Sequence, residues 1–179
     1  MIRNFAALII LLFAIYPMSY ASDAVLPDSN VVMNKPIEIN LSGPRFGISA
    51  VTNGSEIADD LRDKSIEPVF TQFGWQFEYT ATPIHGGHTL MFDVIGLVGG
   101  MEQGVFLPSL SGMMGFRTRD GYEFGIGPNI SLAGGALGVA VGRSFDYGGI
   151  NIPINLAVMT SPKGTRFTLV TGFALRIGK

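Results

Sequence analysis

From Pro44 to the C-terminus, apolar residues alternate with polar or small ones, and turn signals break the alternation at regular intervals. A period of two belongs to β-strands, whose successive side chains point to opposite faces. Eight segments carry the pattern, at roughly 44–52, 68–81, 88–101, 105–118, 122–133, 136–147, 150–160 and 165–177. In the second, Val69, Thr71, Phe73, Trp75, Phe77 and Tyr79 share one face, and Gln72, Gly74, Gln76 and Glu78 share the other. In the fifth, Tyr122, Phe124, Ile126, Ile130 and Leu132 oppose Glu123, Gly125, Gly127, Asn129 and Ser131. In the seventh, Ile150, Ile152, Ile154, Leu156 and Val158 oppose Asn151, Asn155 and Ala157. In the eighth, Phe167, Leu169, Thr171, Phe173, Leu175 and Ile177 oppose Arg166, Thr168, Gly172, Ala174 and Arg176. The third, Leu90–Val98, is apolar on both faces except at Asp93.

The turns agree with this division. Gly148-Gly149 as a two-residue turn sets Phe145 opposite Ile152 and Asp146 opposite Asn151; Gly134-Gly135 sets Ala133 opposite Ala136 and Leu132 opposite Leu137. Arg119-Asp120-Gly121 places Arg117 across from Glu123, a favourable cross-strand pair. A slip of one residue in any hairpin would invert every side chain, so three turns that keep the faces apart point to one two-faced sheet. The expected fold is all-β: a closed, antiparallel, up-and-down barrel of eight strands over residues 44–179. Outside the ladder, Ile37–Leu41 reads as a short strand. Asn53–Glu67 reads as a helix capped by Ser55, with Glu56, Asp59 and Asp60 early, Arg62 and Lys64 late, and Pro68 as its stop.

Ahead of the barrel, Arg3 precedes an unbroken apolar run from Phe5 to Tyr16, and Ser19-Tyr20-Ala21 supplies small residues for cleavage. This predicts a secretory signal peptide over residues 1–21. The run is also short of the about 20 residues a membrane helix needs. Residues 22–43 are then an N-terminal periplasmic segment. Removing Arg3 with the leader leaves 11 basic against 14 acidic residues, a charge of −3 that argues against nucleic acid as a partner. The absence of cysteine excludes disulfide stapling.

Alternation does not say which face is inside. A soluble lipocalin-like barrel around an apolar ligand and a membrane barrel share the pattern with opposite sense. Two features favour the membrane sense. The four lysines, Lys35, Lys64, Lys163 and Lys179, all lie outside the strands, whereas a soluble barrel carries lysine on its solvent face. The non-apolar face is also small, with Gly125, Gly127, Ala136, Gly138, Ala140, Gly142, Ala157, Gly172 and Ala174, which suits the narrow interior of eight strands. Phe73, Trp75, Phe77, Phe124, Ile154, Leu169 and Phe173 are then expected to face lipid. Tyr79, Tyr122 and Tyr147 near strand ends fit an interfacial girdle.

With these features, Pro44–Lys179 resembles the small eight-stranded outer-membrane barrels of Gram-negative bacteria. Members of that group end in a strand with a glycine followed by alternating hydrophobic residues, and Gly172, Leu175 and Ile177 match the spacing; the chain departs by ending Ile177-Gly178-Lys179 in place of a terminal aromatic residue. The resemblance implies outer-membrane lipid and, during biogenesis, the barrel-insertion machinery as partners.

Little in the sequence points to catalysis. His85 and His88 flank Gly86-Gly87 in an expected turn, without further metal ligands nearby. Ser109, Ser111 and Ser131 lack a neighbouring histidine, so a lipid-modifying enzyme is the less favoured reading. Gly125-Ile126-Gly127 lies inside a strand and precedes no helix, which fails the context of a nucleotide loop. No catalytic, cofactor or metal residue is assigned. Glu78, Asp93, Arg117, Glu123, Arg166 and Arg176 are expected to form a paired charge network filling the lumen. The expected function is therefore an integral outer-membrane barrel with a structural or interaction role, and residues 53–67 are the candidate surface for a partner.

Overall fold

The computed structural model describes residues 40–84 and 88–175. The signal peptide, most of the 22–43 segment, His85, Arg176 and Ile177 therefore lie outside the described residues.

The eight expected strands form, all antiparallel: β1 Gly43–Val51, β2 Val69–Ile84, β3 His88–Gly99, β4 Leu107–Arg117, β5 Tyr122–Ser131, β6 Gly134–Tyr147, β7 Ile150–Ser161 and β8 Gly164–Gly172. Each pairs with its sequence neighbour, and β1 pairs with β8, so the sheet closes into an up-and-down barrel without a free edge. A two-residue β9, Ala174–Leu175, continues past Phe173 along β7. The ends of the described chain at Asn40 and Leu175, the adjoining ends of β2 and β3, and the turns at 118–121 and 148–149 mark one end of the barrel, called here the terminus end, and the other carries residues 52–68, 100–106, 132–133 and 162–163.

Two of the three turn assignments hold. Phe145 pairs with Ile152 and Asp146 with Asn151 around Gly148 and Gly149, whose φ values of 61° and 89° lie where glycine costs least. Arg117 pairs with Glu123. The third turn is Leu132-Ala133 instead of Gly134-Gly135: Ser131 pairs with Gly134 and Asn129 with Ala136. Moving the turn back by two residues shifts every β6 partner of β5 by four, so that Ser131 faces Gly134 and not Gly138. An even displacement preserves the faces, so the alternation alone was indifferent between the two registers. The segment Ile37–Leu41 is also corrected at its described end, since Asn40 and Leu41 are not strand. They are nonetheless held, as Asn40 donates to the Glu78 carbonyl (3.0 Å).

Helix α1, Glu56–Asp63, forms where expected, with Ser55 Oγ accepting from Ala58 N. It stops at Lys64, well before Pro68, because Ser65 adopts φ 60° and the amides of Lys64 and Ile66 turn back onto the Leu61 carbonyl. Its apolar side (Ile57, Ala58, Leu61) packs on Val51, Phe70 and Leu107 at the barrel mouth.

The residue distribution is inverted relative to a water-soluble fold. Outward positions are bulky and apolar: Phe46, Phe73, Trp75, Phe77, Phe124, Ile126, Leu169 and Phe173 are all exposed, Trp75 by 48%. Among the described strands, Arg143 is the only Lys, Arg, Asp or Glu facing outward, and it lies against the rings of Tyr122 (4.9 Å) and Phe145 (5.2 Å). Tyr79, Tyr122 and Tyr147 all fall at the terminus end. Inward positions are polar or small: Arg45 is 1% exposed, Asn129 2%, and Ser49, Gln72, Gln76 and Thr168 are buried with them. At Gly127 and Gly142 the absence of a side chain is sterically required, because a Cβ would meet a backbone carbonyl oxygen at 1.9 and 2.4 Å. A Cβ on Gly142 would meet Asn155 Oδ1 at 1.6 Å, and one on Gly138 would meet Met159 Sδ at 2.1 Å.

Candidate functional site

The inward side chains fall into two groups. Toward the termini, β2, β4 and β5 bring charges together. Arg117 donates from Nη1 to Glu78 Oε1 (3.0 Å) and from Nη2 to Glu78 Oε2, and its Nε donates to Glu123 Oε1 (2.8 Å). All three side chains are nearly inaccessible. One guanidinium thus serves two carboxylates through its planar fork, the arrangement that makes a buried ion pair tolerable. Asn155 Nδ2 supports Glu123 Oε2 (3.1 Å).

Of the six charges expected in the lumen, the structure brings Glu78, Arg117 and Glu123 into one cluster. Asp93 is buried and directly opposite Glu78 on β3, but its Oδ1 accepts no hydrogen bond from the described residues. Arg166 stands apart toward the loop end, and Arg176 is outside the described residues. The expectation of one paired network is therefore corrected for Arg166, which forms no ion pair among the described residues. The physical reason is distance along the strands: Arg166 enters β8 from the loop end, while the carboxylates sit past the middle of β2, β3 and β5.

Arg45 is the lumen charge missed in the sequence. It donates to Gln76 Oε1 (2.9 Å), the Pro44 carbonyl (3.0 Å) and the Leu41 carbonyl. Its parity was readable, because it alternates with the outward Pro44, Phe46 and Ile48. Between the charged group and the loop end lies a neutral chain in which Ser49 Oγ meets both Gln72 Oε1 (2.7 Å) and Thr168 Oγ1 (2.7 Å).

The loop-side group is built on Asn129. Its Nδ2 donates to Ser109 Oγ (2.8 Å) and Ser111 Oγ (2.9 Å), and its Oδ1 accepts from Arg166 Nη2 (2.9 Å). Above it opens a cavity of about 340 Å3, walled by α1, Phe70, Leu107, Met159 and the Leu132-Ala133 turn, with Gln72, Asn129 and Arg166 lining its polar part. A separate lumen space of about 70 Å3 lies beyond, and Arg166 lines both.

The loops over this mouth are tied down. Lys163 Nζ reaches Glu56 (2.8 Å), and Ile57 N donates to the Lys163 carbonyl (3.2 Å). The Glu102 carboxylate accepts from Thr71 N (2.7 Å) and Thr71 Oγ1 (2.6 Å), contacts that hold it below the usual carboxylate range. Helix α1 also carries exposed Glu56, Asp59, Asp60, Arg62 and Asp63.

His88 stacks on Phe116 (5.4 Å between centroids) at the terminus end. Ser109 pairs with Leu97, nine positions further along β3, which at about 3.3 Å per residue separates them by about 30 Å. The structure thus does not bring His88 to Ser109 or Ser111. Gly172 ends β8, Leu175 lies in β9, and Ile177 is beyond the described residues. Among the described residues no group of three or more His, Asp or Glu is placed to hold a metal ion. No protein-family model, curated protein or solved structure matches this chain.

Proposed function

We propose that the chain is an integral outer-membrane β-barrel with a filled lumen and a structural or interaction role. The observation that carries this reading is the inversion of its faces. A belt of exposed Phe, Trp, Leu and Ile surrounds a lumen of Arg, Glu, Gln, Asn and Ser. In water that belt would be an aggregation surface far larger than soluble monomers tolerate, whereas in lipid it is the favourable one, and closure satisfies every strand edge. Arg143 against Tyr122 and Phe145 near the terminus end fits a headgroup-level anchor. Outer-membrane lipid and the insertion machinery are the partners this reading requires. The exposed acidic residues of α1, within residues 53–67, are the proposed surface for a further partner.

The test is to express the full precursor in a Gram-negative host, separate membranes by density and run the outer-membrane fraction with and without boiling. Recovery there with a boiling-dependent mobility shift is expected; recovery as a soluble periplasmic protein would refute the reading. Leu169 sharpens it, since it sits between Ile48 and Leu156 on the outer face. Leu169→Arg is expected to cost about 2–4 kcal/mol in a bilayer, measured by denaturant unfolding in lipid vesicles. An unchanged midpoint would mean that this face does not meet hydrocarbon.

A further inference from the structure

We infer that the loop-end cavity is a binding site for a small apolar carboxylate, with the carboxylate on Arg166 and the tail toward the Leu132 rim. The inference rests on the cavity alone and holds whether the outer face meets lipid or water.

Three observations support it. The first is the cation. Arg166 Nη2 is used by Asn129 and, weakly, by Ser109, both neutral; its Nε is buried without a partner, and no described carboxylate pairs with it. Arg117, by contrast, meets two carboxylates within the same barrel. A half-buried guanidinium without an anion gives up part of its hydration uncompensated, and an entering carboxylate would supply the missing charge.

The second is the wall. Leu61, Phe70, Leu107 and Met159 make it apolar, so the space selects a ligand with a hydrophobic body and one polar end. Its volume of about 340 Å3 lies at the small end of ligand pockets, which suits a medium-length tail. The third is access. Leu132 (71% exposed) and Phe106 (63%) form an apolar rim, and the two-residue turn leaves Gly134 and Gly135 with open space around them. Asp60 and Lys64 of α1 also line the opening with opposite charges, so neither sign dominates there.

The probe is decanoate against 1-decanol, which has the same tail without the charge. The protein is taken from whichever fraction holds it, transferred to lipid nanodiscs if that fraction is the membrane, and titrated calorimetrically with empty-disc heats subtracted. Saturable 1:1 binding of decanoate, about tenfold or more tighter than decanol, is expected. Arg166→Gln should reduce decanoate to the affinity of decanol and leave decanol unchanged. Ala133→Trp, in the exposed turn, should block both ligands while the barrel's folding signature is retained. Should Arg166→Gln fail to fold, the wild-type preference together with Ala133→Trp decides. Absence of saturable binding, equal affinity for the two probes, or undiminished decanoate binding in a folded variant would overturn the inference.

Discussion

The two ends of the lumen hold their cations in opposite ways. At the terminus end Arg117 is locked between Glu78 and Glu123, and the neighbouring positions are packed so closely that Gly142 has no room for a Cβ. At the loop end Arg166 rests on the amide of Asn129, below a cavity. A guanidinium that has both its fork positions on carboxylates fills space and specifies geometry. One that leans through Nη2 on an amide and, weakly, a hydroxyl leaves donors and volume unused. The same residue type thus acts as mortar in one half and as a vacancy in the other, and the neighbours decide which.

The largest break in this contrast should come from Arg117→Met. It strands two buried carboxylates, and a loss of about 3–5 kcal/mol is expected, read from urea unfolding by the fluorescence of Trp75, the single tryptophan. A variant within 1 kcal/mol of the parent would mean that the cluster contributes nothing net. Next, Gly142→Leu should cost about 1–3 kcal/mol by overpacking against Asn155, and the check is whether the barrel still shows its folded gel mobility. Ser55→Ala removes the cap of α1 and should cost that helix about 1 kcal/mol; amide exchange would detect it as faster opening of residues 56–63, with β2 to β5 unaffected. The smallest effect is expected for Arg166→Met. The lost bonds to Asn129 and Ser109 are offset by relief of an unpaired, half-buried cation, so stability should stay within about 1 kcal/mol. A loss as large as that of Arg117→Met would erase the distinction between the halves.

Much of this is legible in the amino-acid sequence. Strand count, the faces and most boundaries follow from alternation, because a strand has only two sides and the chain keeps bulky and small residues apart. The Ser55 cap and the pairing of Arg117 with Glu123 were readable for the same local reason: both depend on residues six or fewer apart. The β5–β6 register was not, since moving the turn from Gly134-Gly135 to Leu132-Ala133 leaves every residue on its own face. Nor was the isolation of Arg166, as parity reports the face of a side chain and not its height along the barrel.

By itself, then, the sequence determined an eight-stranded two-faced sheet, because hydrophobic periodicity acts locally and closing the sheet removes its edges altogether. Only the tertiary structure decided which inward charges meet. That depends on strand stagger and on closure of β1 onto β8, which bring residues as distant as Ser49 and Thr168 within 2.7 Å. It also decided where the lumen stays empty. A cavity exists where side chains from several strands fail to reach one another, and no single stretch of chain contains that information.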